Sequence, residues 1–278
     1  MRGSQVAKVW GVAGALLGAL VALAVWAPAA WLAAAVADAS GQRLLLADAR
    51  GTVWNGSAVP VLTGGVGSRD ASALPGRLNW SLGLQGSALT LRARHDCCIN
   101  GEMLLRFTPG WGRVRVELPA SQGALGQWPA SWLVGLGTPW NTLQPSGSLQ
   151  LFSTGLTAES VQGRWRMAGR ADLALDSMAS RVSTLDVLGS YRLVLAGAPV
   201  GAAGAAAGTA AGTAETPASL QLSTTSGALL LDGSGQWVGS RLRFNGQASA
   251  APGSEAILNN LLNIIGRRQG ARSVISIG

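Results

Sequence analysis

A period of two governs most of this chain beyond residue 38. In residues 78–84, Leu78, Trp80, Leu82 and Leu84 share one parity, while Asn79, Ser81 and Gly83 take the other. The rhythm recurs in 88–94, 104–107, 114–118, 149–151, 173–175, 191–195, 220–222 and 242–244. Short alternating runs are half-buried strands, because successive side chains of a strand point to opposite faces. Gly, Ser, Asn, Asp and Pro separate the runs at hairpin spacing, which predicts antiparallel neighbours with one dry and one wet face. The 39 glycines follow no three-residue period; they fall between strands or within them, where they let a sheet bend. The expectation is an all-β fold built on a strongly curved antiparallel sheet, a half-barrel or open barrel rather than a flat sandwich.

The start of the chain obeys a different rule. Residues 9–37 are 29 positions of Val, Trp, Gly, Ala, Leu and Pro with no charged or hydrogen-bonding aliphatic side chain, bounded by Lys8 and Asp38 and interrupted at Pro28. A helix over the 19 residues 9–27 would span roughly 28 Å, close to the hydrocarbon thickness of a bilayer. Two readings share these residues. As an anchor, the helix stays, residues 1–8 with Arg2 and Lys8 remain cytoplasmic, and Trp10, Trp26 and Trp31 suit the interfacial belts. As a signal peptide, it is cut at Ala27-Pro28-Ala29 or Ala35-Val36-Ala37, although an ordinary apolar core of such a peptide is shorter, about 7–15 residues. The length favours the anchor, and under both readings residues 38–278 leave the cytoplasm. Gly14-x-x-x-Gly18 gives the helix a small-residue face suited to pairing with another copy.

Three segments break the alternation. Residues 129–136, with Trp132 and Leu133, predict a short helical or irregular turn on a sheet edge. Residues 200–216, an Ala/Gly/Thr run, predict a flexible loop that buries too little surface to offset its ordering entropy. Residues 254–265 predict the one soluble amphipathic helix: Ser254 as N-cap, an apolar stripe of Ile257, Leu258, Leu261, Leu262 and Ile265, Gly266 as stop, and Arg267 and Arg268 at the negative end of the dipole. A last strand is expected over 273–277. Gly51-Thr52-Val53-Trp54-Asn55-Gly56-Ser57-Ala58 predicts a hairpin turning at Asn55-Gly56. The 11 tryptophans fall mostly on apolar parities, hence in the core; Trp54, Trp80, Trp111, Trp165 and Trp237 could alternatively line a groove.

Several chemistries lack their residues. His95 is the only histidine, and Asp96 beside it is badly placed to orient its ring. Cys97 and Cys98 are adjacent, and tetrahedral zinc needs four well-spaced ligands, so no metal and no cofactor is expected. The two cysteines are read as small residues in a strand or turn; an exported domain would permit a disulfide without requiring one. No nucleotide-binding glycine motif or nucleophile elbow is present. The chain is therefore expected not to be an enzyme, and no catalytic, cofactor-binding or metal residues are assigned. Beyond the anchor 19 basic residues face 13 acidic ones. They are dispersed as in Arg92-Ala93-Arg94, Arg113-Val114-Arg115, Arg164-Trp165-Arg166 and Arg241-Leu242-Arg243, which fits a wet sheet face better than the contiguous patch that nucleic acid demands. Contact with acidic lipid headgroups or an acidic partner stays open.

Three strings together resemble a known family. They are the membrane helix ending in Trp26-Ala27-Pro28-Ala29-Ala30-Trp31-Leu32, the string from Gly51 to Ala58, and the tail in which a helix over 256–265 leads through Gly266-Arg267-Arg268 and a turn at Gly270 into a terminal strand. With the Leu143-x-Pro145-x-Gly147-x-Leu149-x-Leu151 pattern, they resemble the N component of the bacterial type II secretion system. The resemblance implies a single-pass inner-membrane protein with its bulk in the periplasm, an accessory of the export machine with other secretion components as partners, and no active-site residues. The 200–216 insertion is not carried over. A weaker fold-level likeness to AsmA-like envelope proteins implies the rival reading, a curled sheet whose apolar groove holds lipid. The two separate on whether Leu78, Trp80, Leu82, Leu89 and Leu91 line an open groove or lie under the 257–265 helix.

Overall fold

A computed structural model describes residues 10, 14–15, 17–19, 21–161, 164–198, 217–238 and 241–278. The expected loop at 200–216 lies outside them, as does part of the expected span at 9–27. Residues 14–15, 17–19 and 21–25 are helical. Among the described residues no helix is long and apolar enough to cross a membrane. Pro28 divides the apolar run as its chemistry requires, since it lacks the N–H a continuing helix would need. A new helix, α1 (Ala29–Ala39), begins directly after it.

Beyond α1 the described chain is mostly strands. The first half contains β1 (Leu44–Gly51), β2 (Asn55–Thr63), β3 (Ala71–Ala73), β4 (Leu78–Gln85), β5 (Ala88–His95), β6 (Met103–Gly110), β7 (Arg113–Leu118) and β8 (Gly126–Pro129). A 3-10 helix (Ala130–Leu136) and the one-turn α2 (Trp140–Leu143) follow. The second half contains β9 (Pro145–Val161), β10 (Arg164–Ser180), β11 (Gly189–Ala196), β12 (Ser219–Gly227), β13 (Leu229–Val238), β14 (Arg241–Ala250), the helix α3 (Glu255–Ile265), β15 (Arg267–Gln269) and β16 (Arg272–Ile277).

All of these strands belong to one antiparallel sheet of 16 strands, in the order β1-β2-β4-β5-β6-β7-β9-β10-β11-β12-β13-β14-β16-β15, with β3 beside β2 and β8 beside β9. The path is open: β1 and β15 are edges, so the sheet is not closed into a barrel. The expected antiparallel all-β fold is what the chain forms. Registers slip between Ala47 and Arg50, Gly169 and Ala171, and Asp176 and Ala179, and such bulges raise the local twist and bend the strand that carries them.

The register also shows why alternation builds one apolar face. Directly paired residues share a face, and Leu84, Leu89, Phe107, Val116, Ala158 and Met167 form one cross-strand row from β4 to β10. A second row of Leu151, Leu173, Leu193 and Leu222 runs from β9 to β12. On the opposite face the arginines pair with carboxylates across strands, as Arg115 does with Glu159 at 3.4 Å and Arg94 with Glu102 at 3.3 Å. These exposed pairs contribute little individually, but they mark the wet side the alternating arginines predict.

Two helices lie on the apolar face. α3 buries Leu258, Leu261 and Leu262 against Leu149, Met178, Tyr191, Leu229 and Ala248, the main core of the protein. α1 brings Ala29 onto Ala58 and Trp80, with Leu32, Leu46 and Leu91 around them. Details of α3 differ from expectation. Ser254 makes no side-chain cap bond; its own carbonyl accepts from Leu258 N–H instead. Ile257 is 45% exposed because the stripe centres on the buried Leu258–Leu261–Leu262 face. Gly266 is extended rather than left-handed; it is needed because a side chain there would run into the Val274 carbonyl across the sheet. Arg267 and Arg268 begin β15 instead of closing the last turn of α3.

Candidate functional site

The Gly51 to Ala58 string forms the junction between the N-terminal apolar run and the sheet. A hairpin is present, but its turn is not at Asn55-Gly56. Gly51 pairs with Gly56, so the chain reverses over Thr52, Val53 and Trp54, and Asn55 and Gly56 are already in β2. Long-range demands decide this. The Trp54 indole N–H donates to the Ala24 carbonyl at 2.8 Å, and Val53 N–H donates to the Ala27 carbonyl at 2.8 Å. Pro28 makes a bridge with Thr52. The carbonyls at the C-terminal end of a helix lack intrahelical donors, and the 52–54 turn supplies them. Thr52 N–H donates to the Asn55 carbonyl at 2.8 Å, closing the turn.

Trp80 supports the turn from beneath. It is 5% exposed, and its indole N–H donates to the Val53 carbonyl at 3.0 Å. A Cβ on Gly56 would strike the Trp80 ring and the carbonyls of Arg50 and Thr52, so glycine is required there for close approach rather than for turn geometry. Arg77 ties the adjoining strands together, donating to the Asp48 carboxylate at 2.7 Å and to Ser57 Oγ at 3.1 Å. Its guanidinium, with that of Arg50, holds the Asp48 carboxyl below its ordinary value.

The tryptophans do not form the expected core. Trp80 is the one in the buried set, Trp54 serves the junction, and Trp111 and Trp165 are exposed. Nor do Trp54, Trp80, Trp111, Trp165 and Trp237 converge on a groove, since Trp111 stands on a hairpin end with its side chain fully in solvent. Of the residues chosen to separate a groove from a plugged face, Trp80 and Leu91 lie under α1. Leu78, Leu82 and Leu89 are half-buried or buried only in part, and α3 packs instead over β14, β15 and β16. The apolar face is thus covered at α1 and at α3, and partly open across β4 to β7.

His95 ends β5 with 3% exposure, and neither ring nitrogen has a hydrogen-bond partner. Cys97 and Cys98 follow in the turn after it, as small residues there were expected to, and are joined to each other by a disulfide, which the sequence permits without requiring. The donor atoms of His95, Cys97 and Cys98 lie within 4.8 Å of one another, but the disulfide occupies both sulfurs and leaves one imidazole as ligand. Burial holds the His95 imidazole below its ordinary 6.5, outweighing the upward pull of Asp96. The unfolded chain then binds that proton more readily than the folded one, so stability is full above pH 6.5 and declines as pH falls below it. Denaturant midpoints of the full chain in detergent are expected to drop between about pH 7.5 and about pH 5.5. A His95→Phe variant, lacking the only histidine, flattens that slope; an unchanged slope would assign it to other groups. Asp48 titrates separately, its contribution vanishing only as pH falls below its ordinary 3.8.

The fold and the junction define a class: an open antiparallel sheet tied at one corner to an apolar N-terminal segment. A family model described as type II secretion system protein N matches residues 42–275, nearly the whole sheet. The chain belongs to that family, and so is a component of the type II secretion apparatus. No curated protein and no solved structure matches it.

Proposed function

We propose that this chain is a non-catalytic accessory of the type II secretion machinery, held in the inner membrane by residues 9–27. Its sheet stands in the periplasm and contacts other envelope components through edges, loops and a curled apolar face. The observation that carries this reading is the junction: Trp54 and Val53 donate to Ala24 and Ala27, so the apolar run is coupled to the sheet and not merely appended to it. The curl is supported by the register slips along β1, β9 and β10. In-cell crosslinking of the full chain, followed by denaturing purification, is expected to recover inner-membrane components of the secretion apparatus. Recovery of none of them overturns the interaction.

One observation favours a second reading. The row is exposed at Leu84 and half-buried from Leu89 through Phe107 to Met167, and among the described residues it belongs to neither helix-covered cluster, which suits an acyl chain laid across β4 to β10. Native mass spectrometry of the full chain in minimal detergent would show bound phospholipid under that reading. A lipid-free spectrum removes it.

A further inference from the structure

We propose that the hairpin ends carrying Leu84, Trp111 and Trp165, flanked by Arg113, Arg115 and Arg166, form a rim that rests on the surface of an anionic phospholipid bilayer. This rests on the reading that residues 9–27 cross a membrane.

Topology places the rim. In an antiparallel sheet successive turns alternate between the two ends. The β4–β5, β6–β7 and β9–β10 connections are therefore at one end, together with the 52–54 turn that receives the Ala24 and Ala27 carbonyls. The long 119–144 crossing and α3 are at the other. Arg113 pairs with Val161, which sets the end of the β6–β7 hairpin level with the end of β9. An apolar segment entering a bilayer at this corner brings the hairpin ends toward the same surface.

The side chains at that end suit such a surface. Trp111 is 103% exposed, Leu84 70%, Trp165 51% and Val114 44%. Val114 and Trp165 flank Ser160 in register and share its face, so these two lie either side of one serine. Single exposed aliphatic residues are ordinary, and the far end has them in Val66, Val187 and Ile257. Tryptophan is different: beyond residue 31, the exposed ones are Trp111 and Trp165, both at the end where the apolar run attaches. Its ring prefers the headgroup layer. The opposite parity of the same strands carries Arg113, Arg115 and Arg166 with Glu159 and Glu117, and Arg113 has no ion pair among the described residues. That excess of guanidinium complements anionic headgroups, which attract basic groups within a Debye length.

The test uses the full chain in nanodiscs that contain phosphatidylglycerol, with a nitroxide at Trp111→Cys. Further labels at Leu17→Cys and at Ser226→Cys mark the apolar run and the far end of the sheet. Oxygen is expected to relax the label at 111 more than a water-soluble nickel chelate does, with the ratio reversed at 226. In nanodiscs of phosphatidylcholine alone, the ratio at 111 shifts toward that at 226. Quenching by brominated phosphatidylglycerol, reduced in the double variant Trp111→Tyr/Trp165→Tyr, gives the same answer without new cysteines. The rim is overturned if 111 behaves like 226 while 17 reads lipid, an outcome that leaves the anchor standing. Water at both 17 and 111 removes anchor and rim together. Shielding of 111 from both reagents points to a protein contact and also overturns the proposal.

Discussion

Replacing Trp80 by alanine is expected to destabilise the protein by about 3–5 kcal/mol, the range for emptying a buried aromatic site. Trp80 is where the sheet, the 52–54 turn and α1 meet. Its ring packs with Ala29 and Ala58, it closes the space above Gly56, and its N–H satisfies the Val53 carbonyl. Losing it removes the support under the residues that hold Ala24 and Ala27, so the N-terminal segment should loosen from the sheet as well. Trp80→Phe keeps most of the volume and gives up chiefly the hydrogen bond, a change of about 1 kcal/mol. Gly56→Val attacks the same contact from the other side and is expected to cost about 1–3 kcal/mol or more, because the colliding atoms include backbone carbonyls. Denaturant titration in detergent measures all three. A loss below about 1 kcal/mol for Trp80→Ala would contradict the junction as drawn.

The second large effect lies at the far end of the sheet. Leu261 is 1% exposed and sits between Leu258 and Leu262 over the main core, so Leu261→Ala is expected to cost about 2–5 kcal/mol. Ile257→Ala, on the exposed side of the same helix, should change stability by less than about 0.5 kcal/mol. Ser254→Ala should also be nearly neutral, whereas removing a working N-cap costs about 1 kcal/mol; its hydroxyl makes no cap bond here. Equal losses at 257 and 261 would mean that α3 is not packed on the face described.

These contrasts show which features local sequence carries. Strands and their dry face were legible because parity is a local property: a run such as 78–84 sorts its side chains wherever it pairs. The helix at 254–265 was legible from its apolar spacing. Coverage of a face is not local. Parity put Trp165 on the apolar side of its strand, but burial depends on what docks there, and α1 and α3 dock elsewhere. The Asn55-Gly56 dipeptide is a strong hairpin signal, yet the turn moved to 52–54 because Trp54 must reach Ala24 and Gly56 must lie beside Trp80, partners 30 and 24 positions away. Spacing marks Gly266 only as the stop of the helix, although its role is set by Val274 across the sheet. The Cys97–Cys98 bond could not be read from spacing, since adjacency by itself argues against a bridge.

The central claim is that an apolar N-terminal helix holds this sheet outside the cytosol, and reporter topology measures it most directly. Alkaline phosphatase fused after Gly278 of the full chain should be active, and a green fluorescent protein fused there should stay dark in membranes purified from the same cells. A fluorescent fusion with inactive phosphatase would put the sheet in the cytoplasm and contradict the account.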